Sequence, residues 1–453
     1  MSDIPNNHRL FCGAGKADIT LPPGTPMGGY ANRLFSCKGM LDPLHARALL
    51  LRSGDLSLLI LTLDALAINT GRAQMLAAAA SHACRGLVQP SGVHVVCSHT
   101  HSGADLAGLF GDAVSINRYF EQVRTAAYDA TQQAYATFAP AQASWGETAY
   151  PLGRNRRLRP GHAQVSAVER RQGESIDHTL TVLHFERIPG PGTGAGQSLA
   201  TLFHTACHPV CLGPENVLAS GDFAGIAAQV LEAQTGAPAL FFNGACGNVT
   251  PLIGRGSSYT ATHELGESVA RAVIEVDRRG AGNQTQLSVS SPSLVELPLG
   301  CHFKTPADIV QAAAWLLQQD TGFTDWPAVV HAWQQRMLAK LAASIMPRAI
   351  HIPLTAIRFS RIDLRPQDEL TFVLIGAEVF NEYQLWQPPG VRLVGYADGE
   401  GCYIPTAAAL EGGGYEVNTA PVYYGLPCAP GADAERALLS AIGATIQFPQ
   451  GSL

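Results

Sequence analysis

The sequence has few charged residues and no long basic or apolar run. Asp, Glu, Lys and Arg make up 15% of the 453 residues, and the formal net charge is −6. No basic cluster is long enough to follow a phosphate backbone, which argues against nucleic acid as a partner. The most apolar stretch, residues 56–68, contains Asp64 and is shorter than the roughly 20 residues that a transmembrane helix needs. The sequence therefore predicts no transmembrane segment.

The beginning of the chain also lacks the features of a secretory signal. Residues 1–9 have no apolar core preceded by positive charge. Ten cysteines are scattered along the chain, and no two of them form a Cys-x-x-Cys pair. We therefore expect a cytoplasmic protein whose cysteines are buried free thiols.

What the sequence does have is an alternation of strand and helix patterns. Hydrophobic residues make up 46% of the chain, with 46 Gly and 29 Pro, which excludes a disordered or coiled-coil protein. Residues 48–52 and 56–63 predict a buried hairpin around Ser53-Gly54-Asp55. This interleaving predicts an α/β fold in which mixed β-sheets are flanked by helices. We predict helices at residues 71–84, 118–138, 223–234, 264–279 and 434–446, and further strands at 93–97, 199–205, 239–242 and 371–375.

Two segments depart from this alternation. Residues 190–197 read GPGTGAGQ, a Gly-rich stretch that we interpret as a surface loop. Residues 306–346 read as two amphipathic helices that carry Trp315, Trp326 and Trp333. This helical insertion either packs on the main sheet or covers a pocket, and structural packing is the favoured interpretation.

Chemically useful residues follow the ends of several apolar strands, which is where α/β proteins build their sites. His99 and His101 come directly after the strand at 93–97 and face the same side of an extended chain. A His-x-His at a strand end is a candidate metal site. His94, inside the strand, is interpreted as structural.

The second such cluster holds His204, His208 and Asp222, with Cys207 and Cys211 between them. A thiolate zinc site is disfavoured here because no second ligand pair with matching spacing exists.

The next two clusters offer oxygen and amide groups. Asn243, Asn248 and Thr250 lie in a turn whose donors could face a developing oxyanion. Glu378 follows the strand at 371–375, and Tyr396, Tyr403 and Tyr415 lie beyond it in Gly-rich surroundings. Phenols beside a divalent cation can lose their proton and ligate it, although tyrosines in such places are more often packing residues.

Motifs along most of the chain resemble those of the neutral, non-lysosomal ceramidase family, which consists of zinc-dependent amidases that cleave an N-acyl bond. The motifs are AGKADIT at 14–20, MGGY at 27–30, DPLHARA at 42–48 and SHTHSG at 98–103. The resemblance implies one ceramidase-like catalytic domain over residues 1–453, with 306–346 as a helical insertion within it. It implies Zn²⁺ as the cofactor and a small-molecule N-acyl compound as the substrate.

The same resemblance implies roles for individual residues. Its zinc ligands correspond to His99, His208, Glu378 and Tyr403 of this sequence. His101 corresponds to the histidine that assists proton transfer, and Arg156 and Tyr415 correspond to residues near the substrate.

The sequence departs from the family pattern in three ways. Thr250, a candidate catalytic residue, stands where the family has a serine. The turn after His101 reads Ser-Gly-Ala-Asp, which predicts a differently shaped substrate mouth. The chain also has neither the signal sequence nor the C-terminal β-domain of secreted ceramidases, so we expect a short form whose substrate need not be ceramide.

Two other functions stay open from the sequence. One is a metal-dependent esterase, phosphatase or binuclear hydrolase, in which His204, Asp222 or Asp64 would help to bind a second cation. The other is a zinc-containing binding protein without catalytic activity. A zinc-dependent hydrolase of N-acyl amides is the function that the sequence favours.

Overall fold

The computed structural model describes residues 10–447, apart from residues 32, 34, 110, 158–175, 190–195, 283–284, 320, 323–324 and 362–368. Strands and helices interleave along these residues, so the predicted mixed α/β class is confirmed. The strands are β1 (Leu10–Asp18), β2 (Gly39–Met40), β3 (His45–Ser53), β4 (Leu56–Leu63), β5 (Ala67–Ile68), β6 (Val93–Cys97), β7 (Asp105–Leu106), β8 (Ala139–Ala149), β9 (Gly153–Asn155), β10 (Thr179–Arg187), β11 (Ser198–Thr205), β12 (Leu218–Ala219), β13 (Ala239–Asn243), β14 (Val249–Pro251), β15 (Arg279–Gly282), β16 (Thr285–Val289), β17 (Ser293–Pro298), β18 (Ala349–Arg361), β19 (Leu370–Ile375), β20 (Glu378–Val379), β21 (Val391–Val394) and β22 (Tyr403–Ile404). The helices are α1 (Thr70–Ala83), α2 (Ala113–Thr137), α3 (Asp222–Thr235), α4 (Tyr259–Glu275), α5 (Pro306–Leu316), α6 (Trp326–Ala342), α7 (Asn381–Leu385), α8 (Ala407–Gly412), α9 (Ala420–Tyr423) and α10 (Ala432–Thr445).

The predicted helices and strands form in the structure, with shifts at their ends. The hairpin forms as β3 and β4, with Gly54 in the left-handed conformation at its turn. Side-chain caps set several helix starts: Asn69 accepts from the Arg72 amide at the start of α1. Most of the predicted Gly-rich loop, residues 190–195, lies outside the described residues. In the part of the chain that the structure describes, no helix combines the length and the hydropathy that a membrane span requires.

A nine-stranded sheet, which we call the large sheet, carries the two predicted histidine motifs. Its order is β13-β11-β10-β8-β1-β3-β4-β6, and β15 pairs with β8. The sheet twists until its two edge strands approach each other. The Asn243 side-chain amide at the end of β13 donates to the Ser98 carbonyl just after β6, at 3.0 Å. The Asn243 side-chain oxygen also accepts from the Cys207 amide at 3.3 Å, so this one side chain joins the segments that carry His99 and His208.

A second, five-stranded sheet packs on one face of the large sheet. Its order is β16-β18-β19-β21, with β17 paired to β18, and we call it the small sheet. Leu49 and Leu51 of β3 pack in one apolar cluster with Phe359 and Phe372 of the small sheet. Leu50, on the opposite side of β3, packs instead in the cluster that contains α1 to α4. The layers are therefore helices, large sheet, small sheet and, beyond it, α10.

The predicted helical insertion forms two helices, α5 and α6. A Thr305–Asp308 capping box begins α5, and the two helices share a separate apolar cluster. Trp326 and Trp333 are buried in this cluster, whereas Trp315 is 45% exposed. The insertion thus has its own small core, in line with the packing interpretation.

The cysteines differ in part from the prediction. Eight of them are buried free thiols, as expected. Cys301 and Cys428, however, form a disulfide, so the free-thiol prediction was wrong for this pair. The two residues are 127 positions apart, and they meet because the segment after α9 lies beside the end of β17, where the Gly300 amide donates to the Ala429 carbonyl. Sequence spacing gives no sign of such a tertiary contact.

Candidate active site

His99 lies at the end of β6 in a conformation that only a constrained site retains. Its φ is +65°, in the left-handed region that costs a residue with a Cβ about 1–3 kcal/mol. Its Nδ1 lies 2.9 Å from the Leu66 carbonyl oxygen, which can only accept, so Nδ1 carries the proton. The Tyr396 ring stacks on the imidazole at 3.9 Å between centroids. These contacts leave the Nε2 lone pair of His99 free to bind an electrophile.

His208, in the loop after β11, is held in the same way. Its Nδ1 donates to the Cys246 carbonyl at 2.7 Å, with the Val249 carbonyl at 3.2 Å. The side chain is fully buried. Its Nε2 therefore also presents a lone pair, and the tautomer is fixed by backbone oxygens rather than by replaceable side chains.

Glu378 and Tyr403 come from a two-stranded parallel ladder in which they are register partners. β20 pairs with β22, and Glu378 lies opposite Tyr403. Partners at one register project to the same face of a sheet, so the carboxylate and the phenol share one side. Both residues line a cavity together with His99.

The Glu378 carboxylate joins the two histidines. Its Oε2 lies 3.2 Å from His208 Nε2 and 3.3 Å from His99 Nε2. Its Oε1 accepts a hydrogen bond from the Tyr424 hydroxyl at 2.5 Å. One carboxylate oxygen is therefore fixed by a phenol, and the other faces two imidazole nitrogens.

These three atoms suit a bound cation. With both Nδ1 atoms protonated, two nitrogen lone pairs and a carboxylate oxygen converge in a buried place with no proton between them. In a tetrahedral zinc site with bonds of about 2.0–2.1 Å, the ligand atoms lie roughly 3.3 Å apart. The distances between Glu378 Oε2 and the two Nε2 atoms, 3.2 and 3.3 Å, match that edge.

The ionisation of these groups favours the form that ligates metal. Burial lowers the pKa of His208 to about 4, so its imidazole is neutral at neutral pH. Burial by itself would raise the pKa of Glu378, but positive charge at the His99 and His208 nitrogens outweighs it and holds that pKa well below its usual range, so the carboxylate depends on a positive partner at this place. Neutral imidazole and ionised carboxylate are the states that bind a divalent cation.

His101 is positioned differently from the other two histidines. Its Nε2 lies 3.2 Å from His99 Nε2, and the three histidines form one cluster of potential ligand atoms, all within 4.8 Å of one another. Its Nδ1 is buried without a hydrogen-bond partner among the described residues, so no backbone oxygen fixes its tautomer. Burial, followed by the influence of His99 and His208, lowers its pKa well below 6.5.

Residues from the MGGY motif make room for His101. A Cβ on Gly29 would lie 2.4 Å from the His101 ring, and the φ of Gly29 is +94°. Both the lack of space and the backbone conformation therefore exclude a side chain at this position. The Tyr30 ring packs edge-on against the imidazole at 4.8 Å. The Arg33 guanidinium donates to the His101 carbonyl at 2.7 Å. The MGGY motif, which is part of the family resemblance, thus contacts the site directly.

Arg156 connects the Tyr403 phenol to a buried carboxylate. Its Nη2 donates to the Tyr403 hydroxyl at 3.2 Å, and its Nε donates to Glu416 at 2.8 Å. Arg157 donates to the other Glu416 oxygen at 2.6 Å. Burial would raise the pKa of Glu416, but Arg156 and Arg157 outweigh burial and keep it ionised. The carboxylate therefore orients Arg156 toward Tyr403.

Tyr415 begins a π-helical turn, Tyr415–Thr419, a rare element that often occurs at functional sites. Its ring meets the Tyr403 ring edge-on at 6.0 Å. It lines the same cavity as His101 and Glu378.

The structure thus brings together seven of the eight predicted site residues, and Thr250 is the exception. Thr250 lies in β14, where it pairs with Arg154 of β9, and it is not among the described residues that line the cavity. Asn248 donates to Glu382 and accepts from the Asn381 amide, and Asn243 donates to Ser98, so both amides have structural partners. The predicted role of Thr250 stays a prediction.

The three residues considered for a second cation contact different partners. His204 Nε2 donates to the Leu393 carbonyl at 2.9 Å. Asp222 accepts from the Phe223 and Leu212 amides, and Asp64 forms a buried ion pair with Arg47 at 2.8 Å. Each of the three has its own structural partner.

Sequence reasoning missed two site residues, Tyr424 and Glu416. Tyr424 reaches Glu378 from the end of α9, and Glu416 follows Tyr415 in the π-helical turn. Both lie in short irregular elements without periodicity. A tyrosine-rich stretch, Tyr415 to Tyr424, was the one signal that could have pointed to this wall of the cavity.

Two of three comparisons with known proteins found similar proteins. The family described as "Neutral/alkaline non-lysosomal ceramidase, N-terminal" matches residues 10–263. A comparison with curated protein sequences found no match.

Two solved structures share the fold. The neutral ceramidase from Pseudomonas aeruginosa is 17% identical, with a TM-score of 0.65, and the match covers 97% of this chain and 75% of that chain. A structure titled "Ceramidase complexed with C2" is 18% identical, with a TM-score of 0.67, and the match covers 98% and 76%.

Proposed function

Because the chain belongs to the neutral/alkaline non-lysosomal ceramidase family, we propose that it is a zinc-dependent hydrolase that cleaves an N-acyl amide bond. One observation carries this proposal: the lone pairs of His99 Nε2, His208 Nε2 and Glu378 Oε2 converge in a buried place without a proton among them. Such an arrangement repels itself unless a cation lies at its centre.

The proposed metal ligands are His99, His208, Glu378 and the Tyr403 phenolate. When bound, Zn²⁺ supplies a nucleophile by lowering the pKa of water from about 15.7 to roughly 7. Burial and the Glu378 carboxylate raise the pKa of Tyr403 well above its usual value, and the Arg156 guanidinium at 3.2 Å opposes them, so the phenolate needs the charge of a bound cation in addition to Arg156.

His101 is the proposed proton-transfer group. It is neutral at neutral pH, so an imidazole nitrogen can accept a proton from the attacking water. The same nitrogen then donates that proton to the amide nitrogen that leaves. The unpartnered Nδ1 of His101 suits this role, because a ring without a fixed tautomer can exchange protons.

Tyr415 is the proposed donor to the developing oxyanion. Tyr415 lines the cavity together with His101 and Glu378. One preorganised donor of this kind lowers the barrier by about 3–4 kcal/mol. Arg156 acts on the reaction through Tyr403, because both of its described side-chain hydrogen bonds go to Tyr403 and Glu416.

The test combines metal analysis of the purified protein with a mass-spectrometric screen of diverse amides and esters, with and without a chelator. We expect one bound zinc per chain and chelator-sensitive release of a carboxylic acid from amides. Two metals per chain would favour the binuclear alternative. Ligand-induced thermal stabilisation without any product would favour the non-catalytic binding protein.

A further inference from the structure

Backbone carbonyls fix which ring nitrogen of His99 and His208 carries the proton. These carbonyls do not fix how far the two Nε2 atoms lie from the Glu378 carboxylate, because Glu378 belongs to β20, outside the large sheet. Buried donor atoms that converge without a proton between them need other contacts to hold them at the right spacing before a cation binds. Tyr396 lies where it can supply such contacts.

Tyr396 contacts each of the three residues directly or through one neighbour. Its ring stacks on the His99 imidazole, with 3.9 Å between the centroids and 19° between the planes. Its hydroxyl lies 3.4 Å from Glu378 Oε2, the oxygen that faces the two imidazoles. The hydroxyl also lies 3.1 Å from Cys246 Sγ, and the Cys246 carbonyl accepts from His208 Nδ1. One side chain therefore links all three residues.

The contacts of the Tyr396 hydroxyl have a defined direction. An ionised carboxylate can only accept, so the hydroxyl donates to Glu378, and the Cys246 thiol donates to the hydroxyl oxygen. At 3.4 Å, the contact with Glu378 is longer than the roughly 2.8 Å of a strong O–H···O hydrogen bond, and it is correspondingly weak. The stacked ring is therefore the stronger of the two contacts with the site.

The backbone of Tyr396 has a conformation that a bulky residue rarely adopts. Its φ is +60°, in the left-handed region, and such strain persists only where the surroundings impose it. The neighbouring residues are bound to both edge strands of the large sheet. The Gly395 amide donates to the Asn243 carbonyl of β13 at 3.0 Å, and the Asp398 amide donates to the Val95 carbonyl of β6 at 2.7 Å. The fold thus sets the place of the ring.

Tyr396 has no place in the cavity wall. It is 1% exposed, and it is not among the described residues that line the cavity. We propose that Tyr396 is a positioning residue that holds His99 and Glu378 at the spacing a divalent cation requires, with its ring against the imidazole and its hydroxyl toward the carboxylate. This inference rests on the proposed function and names what preorganises its metal site.

The main test measures the zinc affinity of metal-free protein by competition with a chromophoric chelator, so it needs no substrate. Tyr396→Leu removes the ring that stacks on His99. We expect zinc affinity to fall about 10–100-fold, the usual cost of losing a residue that orients a ligand. Wild-type zinc affinity in folded Tyr396→Leu would overturn the inference.

Tyr383→Leu is the matched control. Tyr383 is also a fully buried tyrosine, but its hydroxyl donates to the Pro405 carbonyl at 3.1 Å, away from the proposed ligands. We expect this variant to keep the zinc affinity of the wild type. Urea unfolding of the metal-free proteins compares the stability lost in the two leucine variants. An equal fall of zinc affinity in both variants would show that lost stability, rather than lost positioning, is the cause, and would contradict the inference.

Tyr396→Phe keeps the stacked ring and removes the hydroxyl, and it provides a second test if Tyr396→Leu does not fold. We expect a smaller fall in zinc affinity, about two- to tenfold, which is the usual effect of losing one hydrogen bond. The visible absorption of the Co²⁺-loaded protein should also change, because it reports the geometry of the ligands. Wild-type zinc affinity and an unchanged Co²⁺ spectrum would refute the role of the hydroxyl and, without a folded leucine variant, the whole inference.

Amide hydrolysis by the same variants separates this inference from the proposed function. Zinc binding that depends on Tyr396, without cleavage of any amide, would support the inference and contradict the hydrolase. Cleavage of amides together with wild-type zinc affinity in Tyr396→Leu would retain the hydrolase and refute the inference. A wild-type protein that binds no Zn²⁺ would overturn both.

Discussion

The two sheets contribute chemically different ligands to one site and hold them in different ways. Segments that follow the large sheet supply His99 and His208, whose Nδ1 atoms are fixed by backbone carbonyls. The C-terminal part supplies Glu378 and Tyr403, which are fixed by the side chains of Tyr424 and Arg156. The proposed nitrogen ligands thus depend on the fold, whereas the proposed oxygen ligands depend on single residues that a substitution can remove.

The largest effect is expected from removing a nitrogen ligand. His208→Ala deletes one of the converging lone pairs without touching the carbonyls of Cys246 and Val249. We expect bound zinc and activity to be lost together, as measured by metal analysis and amide hydrolysis. His204→Gln is the matched control four residues earlier, because His204 bonds to Leu393 outside the cluster, and it should retain zinc. Full zinc content in His208→Ala would show that His208 is not a zinc ligand.

His101→Ala is expected to separate proton transfer from metal binding. Loss of a general acid–base residue lowers kcat by about 10²–10⁴. Zinc content should remain at the wild-type level, because His101 lacks the backbone-fixed tautomer of His99 and His208. If zinc disappears along with activity, His101 is a third nitrogen ligand and the assignment of roles is wrong.

The structural character of His204 predicts a pH effect on stability. Burial lowers the pKa of His204 from 6.5 to about 4, so below pH 6.5 the unfolded chain binds a proton that the folded chain does not. Acidification from pH 7 to pH 4 therefore destabilises the wild type relative to His204→Gln, by up to about 3 kcal/mol. Urea unfolding of both proteins across this range measures the difference. A constant difference would show that His204 does not titrate as the buried site implies.

The smallest effect is expected on the oxygen side. Arg156→Lys keeps a positive charge but cannot contact Tyr403 and Glu416 with the same fork, so the phenol loses its positioning partner. We expect activity or zinc affinity to fall about 10–100-fold, the usual cost of losing a residue that orients a ligand. Arg154→Lys, two residues earlier in β9, serves as the control and should have little effect. Wild-type zinc affinity and kcat in Arg156→Lys would contradict the idea that the proposed oxygen ligands depend on single side chains.

The two regions also differ in how well their site residues can be predicted from the sequence. His99 and His101 could be predicted because they form a short motif directly after a strand with a local apolar pattern. The hairpin of β3 and β4 could be predicted from its leucines and its turn residues. Glu416 and Tyr424 could not, because they lie in a π-helical turn and after a short helix, where no periodicity exists. Their roles arise only when the chain folds back onto Arg156 and Glu378.

The disulfide and Thr250 show two limits of prediction from sequence spacing: it missed the disulfide, and it suggested a role for Thr250 that the cavity lining does not support. Cys301 and Cys428 are brought together by tertiary structure across 127 positions, which no local pattern records. Thr250 was chosen by its place in a motif, yet its strand pairing with Arg154 leaves it off the described cavity wall. A motif predicts which residue types are near a site, but the strand register decides which of them face it.

The register of β20 against β22 carries a consequence for how this site can change. Glu378 and Tyr403 are partners in a ladder only two residues long on each strand. Slippage by a single position would turn one of the two side chains to the opposite face, since neighbouring residues of a strand alternate. An insertion or deletion of one residue within either strand would therefore separate the carboxylate from the phenol in one step, because a ladder of two residue pairs has no further pairs to hold its register.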